Sequence, residues 1–564
     1  IAKLSLWLRT AQPRRKLNDL SSNIKCGNSL IDSKAVAGDK AFNWETQFPK
    51  VFEKGGFDVV IGNPPYVRNE FIDSLSKIYL EKKYTLFTGK SDLYVYFFEK
   101  VQNILKEKGL SGFIVSSKYT KTKYGKVLID FLHKETHINC FIDFQDLDVF
   151  SGIVAYPSII MFKKEKVDIN NTLSKLLVVS NENYEEVENL FTNAINVKQS
   201  EIFERLGSWS TGSVDDGFFR LIKKLEKQNE QLANLIEKPQ VGIKTGANAS
   251  FIFNKESIPL EITNSKLLKG YLVGREVKRF RPTDTVNKIL FPYLKEGNRL
   301  ELVNEEEFND EFSFLGRDKE LLSRRAIIDK GIISGAKKWY EFQQIKNDFP
   351  FNTKYIVYPD ISSTVNFTFA NDVLLDMTCF GIASDSNSLL GILNSTLIKA
   401  YLNTICVKAR GGYLRLKSQY ILKIPIPKNY LNTSLDNVVN KMILETSELD
   451  NVENKFQNYL KQKCQLEKLT KKLQNWHELS FGDFIKELNK AIKTSNKQRL
   501  KDGLQEVPEL TKKDEFEWLD LFVENKQKAQ ELQTQINQTD KEIDAMVYEL
   551  YGLTEDEIAI VENS

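Results

Sequence analysis

One apolar run that halts on a stiff turn constrains this chain more than any other feature: Phe57-Asp58-Val59-Val60-Ile61-Gly62-Asn63-Pro64-Pro65-Tyr66. Its β-branched residues suit a pleated, buried strand. Pro64 and Pro65 each fix φ and lack an N–H, so the ladder stops there and the turn cannot flex. Helices and strands then alternate. Asp92–Lys108 carries apolar residues at helical spacing and is predicted as a helix that ends before Gly109. Gly112–Ser116 reads as a second buried strand, Lys126–His133 as a short helix, and Cys140–Phe144 and Pro157–Lys163 as further strands. Upstream, Ile1–Leu8 reads as the end of a helix and Ile24–Leu30 as a short strand. The alternation predicts an α/β fold with a parallel, doubly wound sheet. Its two closing strands are near enough in sequence to form a hairpin at one edge.

The 564 residues allow about three or four domains of roughly 100–200 residues each. The alternating pattern occupies residues 1–165. Residues 166–235 are polar and end in a charged helix (Gly217–Lys238), which reads as a linker. Residues 236–430 mix short β-like runs (Ser250–Phe253, Lys288–Tyr293, Lys354–Tyr358) with helices and many glycines, and read as a separate mixed α/β domain. Residues 431–564 are helical and charged. Leu449, Val452, Phe456, Tyr459, Leu466, Leu469 and Leu473 form one apolar stripe, and Leu532, Ile536, Ile543, Val547 and Leu550 a second. Two such helices around an insert over residues 477–520 predict an antiparallel hairpin.

No run approaches the ~18 apolar residues of a membrane helix, and no signal peptide is evident. The five cysteines (Cys26, Cys140, Cys379, Cys406, Cys464) lack zinc-ligand spacing. A cytoplasmic protein with reduced thiols is expected. The net charge of +3 does not by itself mark a nucleic-acid binder, but the distribution of charge points to one. Residues 265–295 hold eight basic side chains, including Lys278, Arg279 and Arg281, against two acidic ones. Residues 396–428 hold seven, including Lys408, Arg410, Arg415 and Lys417, and no acid, with Tyr401, Tyr413 and Tyr420 interleaved. Such a stretch is either a solvated face or a phosphate-binding surface, and the absence of acids favours the second.

The turn carries the chemistry. Ligands of open α/β sheets sit beyond the carboxyl ends of strands, where Asn63 falls. The Asn63 side-chain oxygen and the Pro64 carbonyl are two acceptors able to grip an aromatic amine. Such an amine is a poor nucleophile because its lone pair is delocalised into the ring. Two acceptors draw it toward tetrahedral geometry and aim the lone pair at an electrophile. Tyr66 can stack on the base. The bland alternative is a Pro-Pro pair that merely ends a strand.

Here the segment resembles the catalytic loop of amino-methyltransferases that use S-adenosylmethionine; NPPY is the form typical of DNA adenine-N6 enzymes and is shared by protein-glutamine methyltransferases. Other stretches separate the two. Ile1–Leu8 followed by Cys26-Gly27-Asn28-Ser29-Leu30, then Asp92-Leu93-Tyr94, Gly112–Ser117, and Asp148-Val149-Phe150 with Ser158–Lys163, resemble the catalytic domain of type IIG restriction–modification enzymes. Thr245–Asn248, Gly274–Phe280, Tyr358–Ser362, Leu393–Ser395 and Lys408–Tyr413 resemble the TaqI-like C-terminal specificity domain, and Ile543–Val561 a tail common in the group.

The resemblance implies a Rossmann-like methyltransferase sheet incomplete at its N-terminus, a target-recognition domain over 236–430 and a helical C-terminal region. It implies that Asn63, Pro64 and Pro65 present the acceptors to a target adenine, with Tyr66 stacking and Phe150 touching the base from another side. Asn28, with Ser29, would sit at the adenine ring of the donor, where many relatives carry Asp. Lys278, Arg279, Arg281, Lys408, Arg410, Tyr413, Arg415 and Lys417 would contact double-stranded DNA. The family's donor-binding loop should precede Ile1, so the chain is expected to bind S-adenosylmethionine weakly and to be inactive alone. Magnesium would enter only with an upstream nuclease domain. Two rivals are weighed: a non-catalytic DNA-recognition module, and a protein-glutamine methyltransferase, which has no need of the large basic C-terminal domain. His133 and His137, spaced i,i+4, read as a surface pair and not a metal site, because Lys134 stands where a metalloprotease helix has Glu. Lys337-Lys338-Trp339-Tyr340 could touch DNA or pack, and Glu305–Glu307 reads as a solvated loop.

Overall fold

The computed structural model describes residue 6 and residues 20–563 apart from 21, 123, 145–146, 148–155, 180–193, 209–215, 282–286, 298, 346–353 and 408–411. The predicted helix end at 1–8 and the Phe150 site lie outside the described residues, Leu6 excepted. The chain divides into two compact units, residues 1–219 and 220–564.

The first unit is built on a six-stranded sheet. Strand β1 (Phe57–Gly62) pairs in parallel with β2 (Leu105–Ser116), which sets Ile61 against Gly112 and Gly62 against Phe113. Strands β3 (His137–Asp143) and β4 (Pro157–Lys163) form the expected hairpin. The sheet is mixed, however, and the hairpin is not at its edge. Strand β4 lies between β2 and β3, antiparallel to both. Ser158, Ile160 and Phe162 in β4 are fully buried, and an interior position pairs both edges of its backbone. The span read as a polar linker supplies two more strands: β5 (Leu173–Val178), parallel to β3, and β6 (Ile195–Lys198).

Helices α1 (Ser74–Lys83), α2 (Tyr94–Ile104), α3 (Gly125–Glu135) and α4 (Gln199–Ser208) accompany this sheet. Phe98, Val101, Leu128 and Leu132 from α2 and α3 pack with Phe113, Phe141 and Phe162 of the strands. Helix α2 stops at Ile104, earlier than the periodicity predicts. Leu105 is already extended, and Lys108 takes a left-handed φ of 64°. Lys106, Glu107 and Lys108 are good helix formers, so residue preference continued the helix to Gly109. Ile24–Leu30 forms no strand. The Leu30 N–H donates to the Asn28 side-chain oxygen at 3.1 Å, a local turn that competes with a ladder. Only an isolated bridge joins Asn28 to Ala41. His133 lies in α3 and His137 in β3, so the pair shares no helical face.

The second unit holds two four-stranded sheets. The strands of these two sheets are β7 (Gln240–Val241), β8 (Ile252–Asn254), β9 (Leu268–Leu272), β10 (Asn287–Leu290), β11 (Lys354–Pro359), β12 (Thr368–Asn371), β13 (Val373–Leu375) and β14 (Cys379–Ala383). One sheet has the order β13-β9-β10-β8, the other β12-β11-β14-β7. Asn248–Phe251 is a helical turn leading into β8, where a longer strand was expected. Trp339 and Tyr340 are buried: Tyr340 donates to the Val303 carbonyl at 2.9 Å and Trp339 to Glu305 at 3.1 Å. They pack.

Helices α5 (Asn387–Asn394) and α6 (Thr396–Ile405) precede the long α7 (Thr433–Lys463) and α9 (Lys512–Leu550), between which lies α8 (Phe481–Lys501). Lys441 meets Glu542 and Phe456 meets Trp518, so α7 and α9 run antiparallel, as the two stripes predict. Phe456, Trp476, Phe484 and Phe522 close their core, with Phe484 and Phe522 stacked at 4.6 Å. Among the described residues no helix is long and apolar enough to cross a membrane. Phe484 has 0% exposure. Phe484→Ala is expected to destabilise the helical segment by about 3–5 kcal/mol, read as faster hydrogen exchange across α7–α9.

Candidate active site

The turn that ends β1 opens onto a cavity of about 600 Å³, within the range of ligand pockets. Asn63, Pro64 and Pro65 line it from the strand end, Asn28 and Ser29 from the neighbouring turn, and Asp73 and Ser76 from the start of α1. Helix α2 contributes Phe97, Lys100 and Ile104, and its N-cap Leu93 continues the same stripe at helical spacing. The structure brings Asn63, Pro64, Pro65, Asn28 and Ser29 to one cavity.

Each wall has a local cause. The parallel β1–β2 ladder ends at Gly62, so Asn63 is the first residue free of it. Pro64 is buried, whereas Asn63 is exposed. Among the described residues neither the Asn63 carboxamide nor the Pro64 carbonyl accepts or donates a hydrogen bond within the protein. The Asn28 turn is fixed by Trp44, whose ring N–H donates to the Ser29 carbonyl at 3.0 Å. A Cβ on Gly27 would lie 2.4 Å from the Phe42 ring, so only glycine lets the turn lie this close. Asp73 caps α1 by accepting the Ser76 N–H at 2.9 Å, and the Ser76 side-chain hydroxyl, followed by that N–H, holds its carboxyl below the usual range. Lys100 has no carboxylate within ion-pair distance among the described residues, and burial lowers its ammonium pKa. Phe97 and Lys100 escaped the sequence reading, although their spacing from Leu93 was visible in it.

Tyr66 does not line this cavity. Its ring sits edge-on against Tyr94, with centroids 6.3 Å apart, and its hydroxyl is buried without a partner. Burial raises its pKa.

The basic side chains singled out for DNA divide into two groups. Arg279 forms a two-pronged pair with Asp540 of α9 at 2.7 and 2.5 Å and also donates to the Asn394 carbonyl. Arg281 pairs with Asp450 at 2.8 Å and Glu453 at 3.3 Å, both on α7. Lys417 pairs with Asp360 at 2.7 Å. These three brace the unit internally. Lys278, Tyr413 and Arg415 are exposed, and neither Lys278 nor Arg415 has an ion pair among the described residues. Tyr413–Lys417 lies against Tyr358–Ser362: Ile361 pairs with Arg415, and the Leu416 N–H donates to the Asp360 carbonyl at 2.8 Å. Lys408 and Arg410 fall outside the described residues.

A mixed sheet with a polar turn and a cavity at the end of a parallel strand defines an α/β fold whose strand end is the usual place for a ligand. Comparison with known families narrows it. Residues 1–150 match the Eco57I restriction-modification methylase family, residues 269–426 the TaqI-like C-terminal specificity domain, and residues 429–547 a domain of unknown function, DUF8810. The type II methyltransferase M.BstVI of Geobacillus stearothermophilus is 24% identical over 70% of this chain and 72% of its own length. The type II restriction enzyme and methyltransferase RM.Eco57I of Escherichia coli is 27% identical over 57% of this chain and 34% of its own length. The type IIL restriction–modification enzyme MmeI, solved in complex with DNA, aligns over 87% of this chain and 59% of its own, at 15% identity and a TM-score of 0.48. Residues 1–150 are thus similar to an Eco57I-type restriction-modification methylase, and residues 269–426 to a TaqI-like specificity domain.

Removing the Arg281 guanidinium leaves Asp450 and Glu453 facing each other without a cation. Arg281→Ala is expected to destabilise the second unit by about 1–3 kcal/mol, measured as a lower thermal midpoint.

Proposed function

We propose that the protein methylates the N6 amine of one adenine within a specific duplex sequence, with S-adenosylmethionine as donor. The observation that carries this reading is the pair of unused acceptors, the Asn63 carboxamide and the Pro64 carbonyl, held rigidly at the rim of a cavity. Acceptors that the protein itself does not use are free to meet a ligand's donors, with water the only group to displace at the exposed Asn63. An exocyclic amine offers two N–H donors to fill both. Bound S-adenosylmethionine supplies an electrophilic methyl group. The protein's part is to hold the amine so that its nitrogen attacks in line, forming N–C as C–S breaks, with the amine proton leaving afterwards. No covalent enzyme intermediate is invoked. Cys140 is buried and its thiol is pushed up to about 11, and Cys26 is exposed away from the cavity lining.

Asn28 already accepts the Leu30 N–H, so its NH₂ is the group left to donate to a ring nitrogen of the donor's purine. Ser29 flanks it. A stacked adenine cannot reach Asn63, so it must be extruded, at a cost of a few kcal/mol. Tyr66, packed against Tyr94 and outside the cavity lining, would have to leave that contact to stack on the base; a role for Phe150 rests on the family resemblance alone. Lys278, Arg415 and Tyr413, with Lys408 and Arg410, provide phosphate and base contacts that fix register and sequence. Magnesium is needed only where a nuclease domain accompanies this chain. A cytoplasmic location accompanies this reading, because the proposed substrate is cellular DNA.

Asn63→Ala in the full-length protein is expected to cut DNA methylation at least about 100-fold while target-site affinity holds, by radiolabelled methyl transfer beside a gel-shift titration. Unchanged methylation would sink the adenine reading. In DNA binding, Lys278→Ala and Arg415→Ala should each lower the slope of log affinity against log salt by about 1, whereas Arg281→Ala leaves that slope intact.

A further inference from the structure

The segment just past the Asn63–Tyr66 turn is clamped onto the loop before α2. The Leu93 N–H donates to the Val67 carbonyl at 2.9 Å, and the Asn69 side-chain amide to the Gly89 carbonyl at 2.8 Å. Gly89 has a φ of 72°, which a residue with a Cβ adopts only under strain. The remaining bonds converge on one carboxylate. Asp92 Oδ1 accepts the Asn69 backbone N–H at 3.2 Å, and Oδ2 accepts the Tyr124 hydroxyl at 3.3 Å. The Tyr124 hydroxyl lies 3.4 Å from that of Tyr94, and the Tyr94 ring is the one against which Tyr66 rests.

Asp92 stands one residue before the helix N-cap, Leu93, yet its side chain accepts no amide of α2. Its two oxygens are used elsewhere. One holds the backbone that follows the turn, and the other anchors a tyrosine pair that seats Tyr66. Asp92 does not line the cavity, so it touches neither donor nor base.

We infer that Asp92 is a positioning residue, which, through the Asn69 amide on one side and Tyr124–Tyr94 on the other, sets the angle of the Asn63–Tyr66 turn for methyl transfer. This inference rests on the reading of that turn as the methyl-acceptor site. Freed of the carboxylate, the Val67–Asn69 backbone loses one of its ties, and the acceptor pair shifts relative to the incoming amine. A displacement of this kind acts on the transition state and not on ground-state binding.

The test is steady-state methylation by the full-length protein, beside binding of duplexes carrying 2-aminopurine at the target base. Asp92→Ala is expected to lower kcat about 100-fold while both KM values stay within a factor of about 3. The 2-aminopurine signal should still rise on binding. Asp92→Asn keeps an acceptor for the Asn69 amide and should recover kcat to within about 10-fold of the parent. Tyr124→Phe, which keeps the ring, should lower kcat about 10-fold at unchanged KM, and it carries the test if Asp92→Ala does not fold. Wild-type kcat in Asp92→Ala or in Tyr124→Phe overturns the inference. So does an Asp92→Asn variant as impaired as Asp92→Ala, or a loss that appears in KM alone. An inactive parent protein is a different result: it removes the proposed methylation itself, and this role with it.

Discussion

The parallel pairing of β1 on β2 is the constraint from which the site follows. A strand that pairs in parallel must be reached by a crossover, so the chain leaves β1, builds α1 and α2, and returns in β2. The ladder ends at Gly62 opposite Phe113, and the next three residues are left to form a turn that two prolines stiffen. The crossover then fills the space above that turn. Leu93 at the N-cap and Phe97, Lys100 and Ile104 of α2 face the cavity into which Asn63 points. Had the register slipped by one residue, Ile61 and Gly62 would have exchanged faces and the acceptors would open elsewhere. Val59 and Ile61 remain 56% and 80% exposed on this edge strand of the described sheet.

The second unit spends its charge in two ways. Arg279 and Arg281 reach α9 and α7, and Asp544 of α9 accepts both the N–H and the hydroxyl of Thr396 at the start of α6. Burial raises the Asp544 pKa, which marks how far this contact lies from water. The long helical hairpin is thereby bound to the mixed α/β part by paired, part-buried charges. Charge density in the sequence therefore does not tell which cations are free to meet phosphate: Arg279, Arg281 and Lys417 are held in ion pairs, whereas Lys278 and Arg415 have none among the described residues.

The strand, its Asn-Pro-Pro-Tyr turn, the α/β alternation and the antiparallel helical pair were legible because each has a local physical signature: a β-branched run, fixed φ, or a stripe at helical spacing. The boundary of α2, the local turn at Asn28 and the inward placement of β4 were not, since Lys106–Lys108 are good helix formers that end up extended, and periodicity cannot say which strand lies beside which. Strands β5 and β6 hid in a polar span because only part of each is buried.

Residue order alone settled that Asn63 and the Pro64 carbonyl must stand together at the end of a strand, because proline leaves the backbone there no alternative. Only the folded chain decided what surrounds them. It brought Asn28, Phe97 and Lys100 into one cavity, turned Tyr66 onto Tyr94, and joined Asp92 to Asn69 and Tyr124. Contacts between residues far apart in sequence depend on strand order and helix docking, which arise from burial summed over the whole core and not from any local pattern.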